Sequence, residues 1–325
     1  MAVQGVVAGR VVEHGEMRGP SGLLEVFDEV GSTNDVARAR ACSGAPHGYC
    51  VRAGAQTAGR GQRGHGWTSP TGGLYMSVIL RPQVEAELLP GLPAACGVGA
   101  ARAVRSLGAA QVKLKWPNDL VAGTSKLAGV LVEGGWHSGE PYAVCGIGIN
   151  VEKPQVTSNS PGALAPTGLT ALLPAGARLP SLDELAELVR AGIVEEVDAW
   201  AAGLARAEAA EADAEGAAST SSGAAAGSKI HDAAGAPAAT AVTPAATPAP
   251  VAGVAPLSGL EADYGELLAF RGEPVELITK EGAHVASGTL CGVDVQGRAC
   301  IELEGGHVEA FDATDVSLRP LSSPA

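Results

Sequence analysis

The chain is short of several things, and each shortage removes a class of answer. Its 325 residues hold only 22 lysines and arginines against 35 aspartates and glutamates, a net charge of −13. A balance so acidic gives no global attraction to nucleic acid or to an anionic membrane surface. The six cysteines (Cys42, Cys50, Cys96, Cys145, Cys291 and Cys300) form no C-x-x-C pair and no cluster with histidine. That argues against a zinc site and a disulfide framework, and for small buried thiols in a reducing cytoplasm. No run of about 18 apolar residues predicts a membrane span, and the N-terminus lacks the charged stretch of a signal peptide. No G-x-x-x-x-G-K-[ST] phosphate loop occurs.

Aromatic residues make up only 3% of the chain, and none falls between Ala201 and Gly259. That gap divides the sequence into three. Residues 1–200 mix apolar runs with turn signals. Residues 201–259 are dominated by alanine, proline, serine, threonine and glycine. Their opening, "AAGLARAEAAEADAEGAA", is able to continue a helix. The stretch 219–253 lacks the large apolar side chains needed to offset ordering entropy, which predicts a disordered linker. Residues 260–325 regain Tyr264, Phe270 and Phe311.

In the first region "YCVRAG", "LYMSVIL", "QVKLKW", "AGVLVEGG" and "YAVCGIGINV" read as short strands bounded by turn residues. Helices are predicted over "STNDVARARAC", "LPAACGVGAARAVRSL" and "SLDELAELVRAGIVEEVDAW", the last with Ser181 and Glu184 in capping-box spacing. A mixed sheet with flanking helices, in the α+β class, follows. The third region alternates in "EPVELITK", "HVASGTLCGVD", "GRACIEL" and "HVEAFDATDVSLRP", four or five short antiparallel strands in the pattern of a small closed barrel.

The stretch Gly59 to Trp67, "GRGQRGHGW", satisfies G-x-G-x-x-G. A dinucleotide turn must open a helix, so that the helix N-terminus faces the pyrophosphate. Here "TSPTGG" and a strand follow instead, and no V-A-I-K strand supports a kinase loop. A mobile surface turn is the bland alternative. Against it, Arg60 and Arg63 stand among glycines that let backbone N–H groups approach an anion closely. On so acidic a chain, this points to a specific carboxylate or phosphate ligand.

Five stretches occur in a fixed order: "DEVGSTNDVA" (28–37), the glycine loop, "KWPNDL" (115–120), "KLAGVLVEG" (126–134) and "GIGINV" (146–151). Together they closely resemble the biotin protein ligases. The resemblance covers Asp28 to Val151 and extends faintly to the "SLR" near the C-terminus, but it does not cover the linker. It implies a catalytic domain over residues 1–200, a linker over 201–259 and an SH3-like barrel over 260–325. It also implies a two-step reaction in the cytoplasm. Biotin and Mg-ATP give biotinyl-5′-adenylate and pyrophosphate, and a lysine of a biotin carboxyl carrier domain of an acyl-CoA carboxylase then takes the biotin.

By the same resemblance Ser32, Thr33, Asn34 and Gln56 offer polar contacts to biotin's ureido group, with Gly129 also at the biotin site. Lys126 lies between the biotin carboxylate and the α-phosphate, and Arg60 closes over them with the backbone of Gly61 and Gln62. Arg63, Trp67, Asn118, Asn150 and Arg319 are assigned to ATP, and Asp119 to Mg²⁺ or to the acceptor amine. Each has a plainer reading: a helix cap for the Ser32 stretch, a Pro-Asn-Asp turn for residues 117–119, core packing for Trp67 and Trp116. The family's loop usually reads G-R-G-R-x-G-R, whereas Gln62 and His65 stand at its second and third arginine places. Lipoate ligase chemistry is the nearest rival, and a non-catalytic biotin-binding protein a third reading. A DNA-binding repressor is not expected, because only 31 residues precede Ser32 and they show no three-helix pattern.

Overall fold

The computed structural model describes residues 5–7, 10–12, 15–64, 66–154, 164–221 and 253–321; for 5–7, 10–12, 63 and 214–221 this is the backbone alone. The side chain of Arg63, all of His65 and most of the expected linker therefore lie outside the described residues.

Strands β1 (Gly5–Val7) and β2 (Arg10–Val12) pair with each other. The main sheet then forms from β3 (Glu16–Arg18), β4 (Leu24–Val30), β5 (Cys50–Gln56), β6 (Leu74–Leu80), β7 (Val112–Lys115), β8 (Asp119–Ala122), β9 (Ser125–His137) and β10 (Glu140–Ile149). Their spatial order is β3-β4-β5-β6-β10-β9-β8-β7, with β11 (Ala165–Pro166) beside the start of β9. The β4–β5 and β9–β11 pairs are parallel and the other pairs antiparallel, a mixed sheet.

Helices cover both faces. Helix α1 (Thr33–Cys42) packs Val36, Ala37 and Ala41 with Val51, Ala53, Ile79 and Val144. On the other face, α2 (Leu92–Ser106) and α3 (Leu182–Ser221) lie over Met76, Val78, Leu80 and Cys145. Alternation across the sheet sends Val78 and Ile79 to opposite cores. A strand covered on both sides reads as an unbroken apolar run, which is why "LYMSVIL" is buried at all seven positions. Each Leu, Ile, Val or Met among them contributes roughly 1.5–3 kcal/mol when fully buried.

Helices α2 and α3 cross where Gly99 meets Gly192. A Cβ on Gly99 would lie 2.3 Å from the Gly192 carbonyl oxygen, so the close approach depends on small residues. The capping box at the start of α3 forms as its spacing predicts. The backbone N–H of Ser181 donates to Glu184 Oε2 (2.8 Å), and that of Glu184 to Ser181 Oγ (3.3 Å).

Helix α3 runs on past Trp200 to Ser221, as the sequence of residues 201–218 allows, and Leu204 is buried. Alanine-rich sequence with glutamate and arginine is strongly helix-forming, and a helix already anchored by packing extends cheaply through it. The far end of the expected linker is also packed. Leu257 is buried, and the Pro256 carbonyl accepts from Trp200 Nε1 (2.8 Å).

The third region opens with a short helix, α4 (Glu261–Leu267), which the strand-like alternation does not predict. Five antiparallel strands follow: β12 (Pro274–Ile278), β13 (His284–Val293), β14 (Ala299–Glu302), β15 (Val308–Phe311) and β16 (Ser317–Pro320). Their order is β15-β14-β13-β12-β16, an open path rather than a ladder closed between β15 and β16 among the described residues. This sheet shares one core with the first region through Leu257, Tyr264, Leu268 and Leu290. Polar ties run alongside: Trp116 Nε1 donates to the Gly297 carbonyl (2.9 Å), Tyr264 Oη to the Pro117 carbonyl (3.0 Å), and the Ala269 N–H to the Leu114 carbonyl (2.7 Å).

Candidate active site

One cavity of about 410 Å³ lies where the N-terminus of α1, the glycine loop, the 115–119 turn, the facing ends of β9 and β10, and β16 converge. Ser32, Thr33, Asn34, Gln56, Arg60, Gly61 and Gln62 line one part of it; Trp67, Asn118, Asp119, Lys126 and Gly129 line another, with Asn150 and Arg319 beside them. Of the residues assigned to ligands from the sequence, Arg63 is not placed there, its side chain not being described; His65 is likewise outside the described residues, and Trp116 is buried away from the cavity lining.

At one end the groups are neutral and mutually bonded. Ser32 holds the cap position of α1 but its hydroxyl makes no cap bond. The Thr33 N–H goes instead to Gln56 Oε1 (2.9 Å), which also accepts from Thr33 Oγ1 (3.1 Å). Gln56 Nε2 donates to Ser69 Oγ (2.9 Å). Ser77 Oγ lies 2.8 Å from Thr33 Oγ1 and 2.6 Å from Asn34 Oδ1, while Asn34 Nδ2 donates to Glu133 Oε2 (2.7 Å). Ser32, Thr33, Asn34, Ser69 and Ser77 are all buried, and a connected network of this kind holds each amide in one orientation. Gly146 makes room for it, since a Cβ there would sit 2.1 Å from Asn34 Oδ1.

The floor is flat. Gly129 on β9 and Gly148 on β10 are paired in register, and the Trp67 indole lies against both. A Cβ on Gly148 would come within 2.4 Å of Trp67 Nε1, a buried donor with no hydrogen-bond partner. Lys126 Nζ stands 5.2 Å from the centroid of the same ring, within cation–π range.

The other end is cationic. Lys126 Nζ pairs with Asp119 Oδ1 (2.8 Å), and the buried Lys115 Nζ lies 3.8 Å from Asp119 Oδ2. Burial pushes the Asp119 carboxyl up, but the charges of Lys126, Lys115 and Arg319 outweigh it and hold the group below the usual carboxylate range. Asp119 is thus an anion among three cations, and this end carries a net positive charge on an acidic protein. Asn118 is buried, its Nδ2 donating to the Val130 carbonyl, and Asn150 Nδ2 reaches the Lys126 carbonyl (3.4 Å).

The glycine loop forms a wall. The Trp67 N–H donates to the Gly59 carbonyl (2.9 Å), an isolated bridge pairs Arg60 with Gly66, and Gln62–Gly64 make one 3₁₀ turn. The Arg60 guanidinium donates to Asp35 Oδ1 (2.7 Å) and Glu133 Oε2 (2.8 Å). Burial would raise the Glu133 carboxyl, yet Asn34, Arg60 and Arg38 hold it below its ordinary value. Among the described residues no group of three or more His, Cys, Asp or Glu side chains is placed to hold a metal ion, and no helix is long and apolar enough to cross a membrane.

Sequence reasoning passed over Lys115, Glu133 and Ser77. The first two stand inside "KWPNDL" and "KLAGVLVEG", and a buried charge within a β-rich run was the available signal. Ser77, inside the apolar run "LYMSVIL", was the other: a single hydroxyl in a fully covered strand needs a buried partner.

Residues 26–150 match the family model described as Biotin/lipoate A/B protein ligase family. A biotin--[acetyl-CoA-carboxylase] ligase from Mycobacterium tuberculosis is 36% identical over 169 residues, 50% of this chain and 59% of the relative. A bifunctional ligase/repressor BirA from Bacillus spizizenii is 36% identical over 128 residues, 39% of each chain. The chain thus spans from about two-fifths to three-fifths of these relatives' length. A biotin protein ligase from Aquifex aeolicus, solved in complex with biotin and ATP, superposes with a TM-score of 0.59 at 22% identity, covering 92% of this chain and 99% of that one. At that identity the likeness establishes the fold.

Proposed function

We propose that this chain is an ATP-dependent ligase that forms biotinyl-5′-adenylate and transfers the biotin to a lysine of a biotin carboxyl carrier domain. The observation that carries the reading is a single cavity with a neutral hydrogen-bonding end, a flat glycine floor and a cationic end built on Lys126. Biotin has the matching parts in the matching order: a neutral ureido ring, an apolar chain and a carboxylate. The curated and structural relatives named as biotin ligases support the same assignment.

In the first step a carboxylate oxygen attacks the α-phosphorus, the bond to the β-phosphate oxygen breaks, and pyrophosphate leaves. Two anions must approach each other, so a cation between them stabilises the charge that builds on phosphorus. Lys126 has that role, with Lys115 and Arg319 adding to the local field. In the second step the acceptor amine attacks the carbonyl, the anhydride C–O bond breaks, AMP leaves and the nitrogen loses a proton. Thr33, Asn34 and Gln56 orient the ring, and the glycine loop excludes water from the anhydride.

Magnesium enters as the counter-ion of the nucleotide. With its two oxygens facing Lys126 and Lys115, Asp119 does not fit a direct metal ligand. It serves to hold Lys126 in place, and Asn118 and Asn150 fix the backbone that carries that lysine. The test is to mix the protein with biotin, Mg-ATP and a carrier domain and measure incorporated biotin. Incorporation of lipoate in place of biotin would move the assignment to the other branch of the matched family.

A further inference from the structure

The glycine loop holds one arginine whose side chain is fully placed, and that arginine does not face the cationic end of the cavity. Both terminal nitrogens of Arg60 are taken by carboxylates, Asp35 at 2.7 Å and Glu133 at 2.8 Å. We propose that Arg60 is a positioning residue: its guanidinium ties the loop to helix α1 and strand β9, and the Asp35 and Glu133 carboxylates are the anchors on which the loop closes. Its second half rests on the ligase reading above.

Three features support the assignment. A planar guanidinium suits two carboxylates at once, and charge-assisted bonds of this length are the stronger kind. Asp35 lies in the first turn of α1, where the helix N-terminus favours an anion. Glu133 is further balanced by Arg38, whose Nη2 lies 3.2 Å from Glu133 Oε1. Pulling Arg60 away toward a ligand anion would break both charge-assisted bonds at once.

The placement also links the loop to the neutral end. Glu133 Oε2 accepts from Arg60 and from Asn34 Nδ2, so one oxygen serves both. The bridge between Arg60 and Gly66 closes the base of the loop, and Gly61 and Gln62, next along the chain, form the pocket wall. Holding Arg60 therefore holds the wall.

Asp35→Asn is the informative variant, because Asp35 does not line the cavity. Two quantities are measured beside the melting temperature: the rate of limited tryptic cleavage after Arg60 and Arg63 in the native protein, and the release rate of pre-formed biotinyl-adenylate. Both should rise about two- to fivefold, the effect of losing one partly exposed ion pair, with the melting temperature unchanged. Arg60→Lys should behave alike, since one ammonium cannot span both carboxylates. Unchanged cleavage, or slower adenylate release because a freed Arg60 now holds the phosphate, overturns the proposal. Faster cleavage with unchanged release overturns the claim that these anchors govern closure. If the wild type forms no adenylate, the ligase reading fails while cleavage still decides whether Arg60 is a tie.

Discussion

The two ends of the cavity are built from opposite materials. One end is a chain of hydroxyls and amides, Ser69, Gln56, Thr33, Ser77 and Asn34, each bonded to the next. The other is a cluster of charges, Asp119 among Lys126, Lys115 and Arg319. A neutral network is orientation-specific and barely sensitive to salt, because its energy resides in short directional bonds. A charge cluster acts over a longer range, tolerates displacement, and weakens as salt screens it. A ligand with an uncharged ring and an anionic tail needs both, and the contrast predicts which variant damages which property.

The largest effect belongs to the charged end. Lys126→Ala should lower the rate of pyrophosphate release with biotin and Mg-ATP by the equivalent of roughly 3–4 kcal/mol, about two to three orders of magnitude. The melting temperature should stay near that of the wild type. A near wild-type rate would remove Lys126 from the mechanism.

At the neutral end the corresponding perturbation is steric. Gly146→Ala places a Cβ 2.1 Å from Asn34 Oδ1, so the Asn34 side chain or the strand must shift and the network is disturbed. Overpacking of this kind costs about 1–3 kcal/mol. Denaturant titration should show that loss, and calorimetry should show weakened binding of biotin and of its uncharged methyl ester alike. If ester binding is unaffected, the ring is not held at this end.

Acid sharpens the comparison through the carboxylates. Asp119 belongs to the charged end, while Glu133 lies outside the cavity lining and accepts from Asn34; both are held below their ordinary values by neighbouring cations or donors, as is Glu25 beside Arg40 in the core. A depressed carboxyl stabilises the fold above its unfolded value, and that stability is lost as the pH falls through the folded value. The melting temperature should therefore be insensitive to these groups from pH 7 to about 5 and fall below about pH 4. A fall already complete by pH 5 would mean that the carboxylates are not paired in solution.

The smallest effect is expected outside both ends. Replacing residues 222–252, which contain no aromatic side chain, with a short Gly-Ser linker should leave incorporation within about twofold and the melting temperature unchanged. A several-fold loss at unchanged stability would assign that segment a role in docking the carrier.

Much of this arrangement is legible before any coordinates, and the limits have physical causes. "LYMSVIL" and "YAVCGIGINV" announce covered strands through length and β-branched content. The failed helix after "GRGQRGHGW" excludes a dinucleotide turn through proline and glycine alone. What cannot be read is what distant segments do to one another. Glu133 looks like the polar end of a strand until α1 and the loop bring Asn34, Arg38 and Arg60 to it. Lys115 is buried in the fold, 3.8 Å from Asp119, a placement that the motif alone does not give. The assignment of Arg60 to the ligand anion follows the motif, whereas its two carboxylate partners are supplied by tertiary structure. Helix α3 continues through the alanine-rich stretch after Trp200 because propensity favours helix wherever packing has already met the cost of nucleation.

The division of labour between the two ends is the central claim, and binding of two ligands across a salt series tests it directly. Biotin and biotin methyl ester share the ring and differ in the charge at the tail. Calorimetric titration of each from low to high sodium chloride should show biotin affinity falling steadily as salt screens the Lys126 cluster, with ester affinity nearly constant. Equal salt dependence for the two, or none for biotin, would contradict it.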